Sequence, residues 1–193
     1  MSKRVCVYCA SSRQADPAFH DAARRLGGLL ARGGATVVCG GGAVGSMGAL
    51  ADGVLAEGGH VVGVVPRFMR DLEWSHPRLS ELVVVETMHE RKHAMLDGAD
   101  AAVALPGGCG TFEELLEAMA WKRLGLWTGA IVILNQDSFY DPLLSLLDRA
   151  IRERFMDERH GAMWQAVPRP EDVLPAIETS PRWYDNPRDF AVP

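Results

Sequence analysis

Residues 101–114, Ala101-Ala102-Val103-Ala104-Leu105-Pro106-Gly107-Gly108-Cys109-Gly110-Thr111-Phe112-Glu113-Glu114, pass from an unbroken apolar run through a proline and three glycines into a helical pattern. The run Ala101 to Leu105 is too short for a helix and suits a strand buried on both faces. Pro106 closes it, the glycines turn the chain, and helical periodicity runs from Thr111 to Leu124. A strand that enters a helix through a tight glycine turn is half of a β-α-β unit, which builds parallel sheets.

The same grammar repeats outward in both directions. Val5 to Ala10 is a strand, followed by a helix from about Asp16 to Arg32. Ala35 to Cys39 runs through a second glycine turn into a helix from Ser46 to Glu57, and His60 to Val65 is closed by Pro66. After a looser stretch from Arg67 to Ser80 come a strand, Leu82 to Glu86, and a helix, Met88 to Asp97. Ala130 to Leu134 and a helix from Tyr140 to Phe155 end the regular pattern. The alternation predicts an α/β fold: one Rossmann-like, doubly wound domain over residues 1–193 with a mostly parallel sheet. The tail, about 168–193, is expected to pack as one short helix and an irregular end. There is no internal repeat, low-complexity tract or linker.

Composition narrows the function classes. A chain of 193 residues with 48% hydrophobic and 23% charged residues is an ordinary soluble domain. Its net charge of -5 argues against nucleic acid or an anionic membrane surface as main partner. No apolar stretch approaches the roughly 20 residues that span a bilayer. The first apolar run is too short for a signal-peptide core, so the cytoplasm is the expected location. Cys6, Cys9, Cys39 and Cys109 sit in apolar runs or a glycine turn, as reduced thiols do. Cys6 and Cys9 lie three apart on one strand and face opposite sides, so they make neither a metal nor a redox pair.

In open α/β sheets ligands bind outside the carboxyl ends of the strands. Five segments follow predicted strands and converge on that edge: Ser11-Ser12, residues 40–48, the stretch after Pro66, the helix start after Glu86, and Pro106 to Glu114. Gly40-Gly41-Gly42-Ala43-Val44-Gly45 spells G-x-G-x-x-G. A dinucleotide site also wants an acid after the next strand, which ends Gly63-Val64-Val65-Pro66 without one. That removes the oxidoreductase reading. Ser46-Met47 stands where a Walker loop needs Lys-Ser/Thr. Either a tight packing turn or a direct ligand contact accounts for this glycine run.

Pro106 to Glu114 is the stronger signal. Glycines 107, 108 and 110 let backbone N–H groups turn inward, the following helix points its positive end there, and Thr111 adds a hydroxyl. The result suits a phosphate. Thr111-Phe112-Glu113-Glu114 also has the form of a capping box, with Glu114 bonding back to the N-cap amide. Thr87-Met88-His89-Glu90 has that form too. After it, Met88, Arg91, Lys92 and Met95 share one helical face. Two cations near a helix start oppose its dipole and need an anion or carboxylate to offset them.

Met88-His89-x-Arg91-Lys92 and Pro106-Gly107-Gly108-x-Gly110-Thr111-x-x-Glu114 together resemble the paired signature of the LOG family. That family comprises cytokinin riboside 5′-monophosphate phosphoribohydrolases, once labelled lysine decarboxylases. Cys9-Ala10-Ser11-Ser12, Gly40-Gly41-Gly42, Gly45-x-Met47-Gly48 and Glu73 share the family look, over about residues 4 to 156. The resemblance implies a Rossmann-like fold, a homodimer with active sites near the interface, and release of free base plus ribose 5-phosphate. It implies Arg91 and Glu114 as the catalytic pair. Glu73, Lys92 and the run Gly107, Gly108, Cys109, Gly110 and Thr111 match its substrate-binding positions. Ser12, Gly42, Gly45, Met47 and Glu113 join them as substrate-binding candidates. The chain departs at Cys109, where plant members commonly carry an aromatic, and at Ala120, where they tend to carry Thr. Both leave the base open between adenine and N6-modified adenine, so AMP nucleosidase and cytokinin activation both fit.

The residue types agree with that chemistry. Cleaving the glycosidic bond builds oxocarbenium character on the ribose, and a carboxylate stabilises it or activates water. Glu114 is the expected carboxylate and Arg91 the group that orients the nucleotide. No metal or organic cofactor is required. A decarboxylase would need a Schiff-base lysine. Of Lys3, Lys92 and Lys122, only Lys92 lies near this cleft, beside an arginine suited to phosphate. The rival reading is a nucleotide-binding or carrier protein without turnover, which has no need of both Arg91 and Glu114.

Overall fold

The computed structural model describes residues 3–191, apart from Glu73, Arg182 and Asp185. Its centre is a seven-stranded sheet in which every pairing is parallel. The strands are β1 (Arg4–Tyr8), β2 (Thr36–Cys39), β3 (His60–Pro66), β4 (Glu81–Val85), β5 (Ala101–Ala104), β6 (Ala130–Leu134) and β7 (Trp164–Val167), in spatial order β4-β3-β2-β1-β5-β6-β7. The order reverses between β1 and β5. In a doubly wound sheet that reversal opens a crevice at the carboxyl ends of the two strands.

Among the described residues six helices fill the crossovers, α1 (Pro17–Arg32), α2 (Gly45–Ala56), α3 (Arg67–Asp71), α4 (Met88–Leu96), α5 (Cys109–Arg123) and α6 (Asp141–Arg152), and a seventh, α7 (Val173–Thr179), follows β7. α1 starts where the sequence places it because the Asp16 carboxylate accepts from Ala18 N at 2.9 Å and Pro17 pre-sets the first turn. Two apolar cores lie on the two faces of the sheet. One joins alternate strand residues such as Val5, Val7, Val37 and Val103 to α1, α2 and α7. The other joins Cys6, Tyr8, Val62, Val64 and Ile131 to α4, α5 and α6. Strands buried on both faces explain the near-continuous apolar runs. Cys6 and Cys9 sit in opposite cores, as the strand period requires.

Three boundaries differ from the sequence reading. The looser stretch contains the short helix α3. The stretch between the last expected helix and the tail supplies an edge strand, β7. α5 begins at Cys109, with Gly108 as its N-cap, so Thr111 lies inside the first turn and the expected capping box with Glu114 does not form. No helix among the described residues is long and apolar enough to cross a membrane.

Candidate active site

Because all strands run parallel, the loops after β1, β2, β3, β4 and β5 meet along one edge. The crevice at the reversal is bounded by the loop after β1, which holds Ser11 and Ser12, and by the loop from Pro106 into α5. Backbone contacts weave the neighbouring loops together. Met47 N donates to Ala10 O at 3.0 Å, and Gly42 N donates to the Met47 sulfur at 2.9 Å. Gly45 has φ +64°, and a Cβ there would lie 2.6 Å from Ser12 O. Glycine at 45 is thus required by the close approach of two loops. Of the two readings left open for this turn, the contacts seen at Gly42, Gly45 and Met47 are those of packing. Ser12 is exposed, and its carbonyl accepts from His20 Nε2 at 3.1 Å.

The phosphate-loop candidates lie at the start of α5. No side chain caps this helix, and first-turn N–H groups without a cap are donors that an anion can take. A Cβ on Gly107 would strike the Thr111 hydroxyl at 2.3 Å, which explains glycine there by packing. Gly108 is different. Its backbone is extended, at φ -97° and ψ -162°, and a Cβ would meet nothing within 4 Å. Neither conformation nor packing calls for glycine at 108, whereas a ligand close to the backbone would. Gly110 is equally open. Thr111 is only 4% exposed, and Cys109 is an exposed free thiol.

Glu114 lies one turn further along α5 and is partly buried. No hydrogen bond or ion pair among the described residues holds its carboxylate. Burial pushes its pKa up to about 7, with Arg91 the largest opposing influence, then Glu113 raising it and Lys92 lowering it. A carboxyl raised by desolvation beside a specific cation is a common mark of an acid–base group.

Thr87 caps α4 by accepting from Glu90 N at 3.1 Å, and the Glu90 carboxylate accepts from Glu86 N at 2.9 Å, one residue before the cap. The helix then crosses from the edge strand over β3 toward α5. Its face carries the charges inward. Arg91 is 7% exposed and donates from Nε to Val64 O and from Nη2 to Gly40 O, each at 3.1 Å. Gly40 makes this possible, since a Cβ there would lie 1.9 Å from Arg91 Nη2. Lys92 is ion-paired to Glu113 and, at 3.2 Å, to Glu117 of α5. These contacts are the offset that two cations near a helix start require. Met95 is buried with them, while Met88 is exposed.

The structure thus brings Arg91, Lys92, Glu113 and Glu114 together at the start of α5. Glu73 lies outside the described residues. Sequence reasoning missed Glu117 and the carbonyls of Gly40 and Val64. Glu117 carries one visible signal, its place one turn after Glu113 on the same helix face.

A family described as "Possible lysine decarboxylase" matches residues 47–177. The chain is 40% identical over 176 residues to cytokinin riboside 5′-monophosphate phosphoribohydrolase LOG2 of Arabidopsis thaliana, covering 91% of this chain and 83% of that one. It is 39% identical to the LOG enzyme of Oryza sativa subsp. japonica, covering 98% of this chain and 81% of that one. Among solved structures, a structural-genomics target is 28% identical at TM-score 0.73, covering 92% of this chain and 99% of that one. A molybdenum cofactor binding protein from Rippkaea orientalis, 20% identical at TM-score 0.72 over 93% of this chain and 97% of that one, shares the fold.

Proposed function

This chain belongs to the LOG family of phosphoribohydrolases, and on that premise we propose that it hydrolyses the N-glycosidic bond of purine nucleoside 5′-monophosphates. The products are the free base and ribose 5-phosphate. The substrate is AMP or its N6-modified, cytokinin-type derivative, since the relatives' names carry the latter.

The observation that carries this reading is Glu114: a partly buried carboxyl, with no hydrogen bond or ion pair among the described residues, one turn beyond the open glycines and within the field of Arg91. Gly107, Gly108, Cys109, Gly110 and Thr111 hold the phosphate through first-turn N–H groups and the Thr111 hydroxyl. That anchor fixes the ribose over α5 and converts binding energy into position. The Glu114 carboxylate then stabilises the oxocarbenium character at the anomeric carbon or takes a proton from the attacking water. Arg91, immobilised by two backbone carbonyls, directs its remaining charge to the nucleotide. Lys92, paired to Glu113 and Glu117, sets the local potential and helps bind the anion. Exposed Phe68, Leu72, Trp74 and Met88 form apolar surface near this edge and support a homodimer that covers the site.

The decarboxylase name of the family would require a lysine that forms a Schiff base, and the lysines do not fit. Lys122 donates to Gly129 O at 2.8 Å, next to the first residue of β6 and therefore at the opposite edge of the sheet. Lys3 precedes β1 at that same edge, and Lys92 is held by two carboxylates.

A carrier without turnover would also use the phosphate loop. It would have no use for the Glu114 and Arg91 pair. Incubation of the purified protein with AMP and with N6-substituted AMP, followed by chromatography of the bases, separates the two readings. Base release from a 5′-monophosphate, and little from the matching nucleoside, is expected; tight binding with no release would favour the carrier.

A further inference from the structure

The aromatic residues after β6 take no part in the chemistry above, yet they converge on the phosphate loop. Tyr140 is 1% exposed and donates its hydroxyl to Leu105 O at 2.6 Å. Leu105 is the last residue before Pro106, and its N–H is already bound to Tyr8 O at 3.0 Å. The Tyr140 ring also stands edge-on to Phe112, with centroids 6.0 Å apart. One side chain therefore grips the chain immediately before the loop and immediately after it. Phe139 packs against both Phe112 and Phe19, closing the cluster toward α1.

Tyr140 is itself fixed. Its N–H donates to Asn135 Oδ1 at 2.7 Å, and Asn135 Nδ2 donates to the Asp141 carboxylate at 2.7 Å. Asp137 and Ser138 adopt φ of +51° and +59° in the turn that delivers it. Two successive non-glycine residues in the left-handed region are strained and persist only where the surroundings hold them. Burial pushes the phenol well up, so the hydroxyl keeps its proton to donate.

We infer that Tyr140 is a positioning residue for phosphate binding: it sets the curvature of Pro106 to Thr111, so that the first-turn N–H groups of α5 converge on the phosphate. The inference rests on the phosphate-site reading above. Removing the hydroxyl leaves Leu105 O buried and without this donor, and the loop then relaxes to reach another.

The test is Tyr140→Phe, which keeps the ring and removes the hydroxyl. Ribose 5-phosphate binding is measured by calorimetry well below the thermal midpoint of each protein, and kcat and KM are measured with AMP. Affinity for ribose 5-phosphate is expected to fall by about fivefold to tenfold, the scale of one hydrogen bond. KM should rise by the same factor while kcat stays within about twofold, a split that a merely structural role would not produce. Asn135→Ser, which frees the Tyr140 backbone but keeps its hydroxyl, should shift both in the same direction and covers the case of a poorly folding Tyr140→Phe. Unchanged affinity in the variants, with only the thermal midpoint lowered, overturns the positioning role alone. Failure of the unaltered protein to bind ribose 5-phosphate removes the phosphate-site reading and this inference with it.

Discussion

Arg91 donates from Nη2 to the carbonyl of Gly40 at 3.1 Å, tying the first turn of α4 to the loop after β2. The bond fixes a buried cation near the Glu114 carboxyl, and it exists only because residue 40 has no side chain. Gly40→Ala would put a methyl group 1.9 Å from Nη2 and drive the guanidinium away. A displacement of about 1 Å in a positioning group commonly costs about 100-fold. We expect kcat/KM to fall by about 10- to 100-fold, with far-ultraviolet circular dichroism unchanged. Retained activity would show that Arg91 need not be held there.

Glu114→Gln separates chemistry from binding. Loss of the carboxylate should lower kcat by about 10²- to 10⁴-fold, the range of a general acid–base group. The dissociation constant for AMP, measured by calorimetry, should move less than about threefold. The same change should raise thermal stability at pH 8. The folded-state pKa of Glu114 stands above its unfolded value of 4.5, at about 7. Its ionised form therefore weakens the fold above pH 7, progressively less as pH falls toward 4.5, and not below it. The stability gain of the Gln variant should shrink on acidification through that window.

The pH profile of kcat follows from the same group. If the carboxylate is the working form, the rate rises with pH through about 7 and then levels. Lys92 holds that pKa down. Lys92→Gln should therefore move the acidic limb to higher pH, so that the variant loses more activity at pH 6 than at pH 9. A limb that stays in place would detach Glu114 from the profile.

How much of this was legible in the residues depends on how local each signal is. β1, β2, β3, β5 and β6 announced themselves because each is a short apolar run largely buried on both faces, and the paired-loop signature around Arg91 and Glu114 lies within two contiguous segments. β7 was missed because Trp164-Gln165-Ala166-Val167 is an edge strand, only partly buried, with a glutamine in its centre. The start of α5 was misplaced by two residues because Thr111 has the chemistry of a cap, while an extended Gly108 holds that position without any side chain. The bond from Arg91 to the Gly40 carbonyl and the role of Glu117 could not be assigned. Both contacts exist only because α4 crosses the sheet between β3 and α5, and nothing in local spacing encodes that crossing.

Gly108→Ala offers a cleaner view of the phosphate loop than any larger change. The extended backbone at 108 accepts alanine, and the methyl group would enter open space. The thermal midpoint should therefore stay within about 2 °C of the unaltered protein. Affinity for ribose 5-phosphate should nonetheless fall by about tenfold or more, because the methyl occupies the ligand's approach. Equal loss of stability and affinity would mean that the glycine serves the fold.

Cleavage of the glycosidic bond, with Glu114 as the group that performs it, is read directly in one assay. The purified protein and its Glu114→Gln variant are each incubated with AMP and with N6-substituted AMP, and free base and ribose 5-phosphate are quantified together by chromatography. Equimolar base and ribose 5-phosphate are expected from the unaltered protein with at least one of the two nucleotides, and almost none from the variant. No base released from either nucleotide, or equal release by both proteins, would contradict this reading.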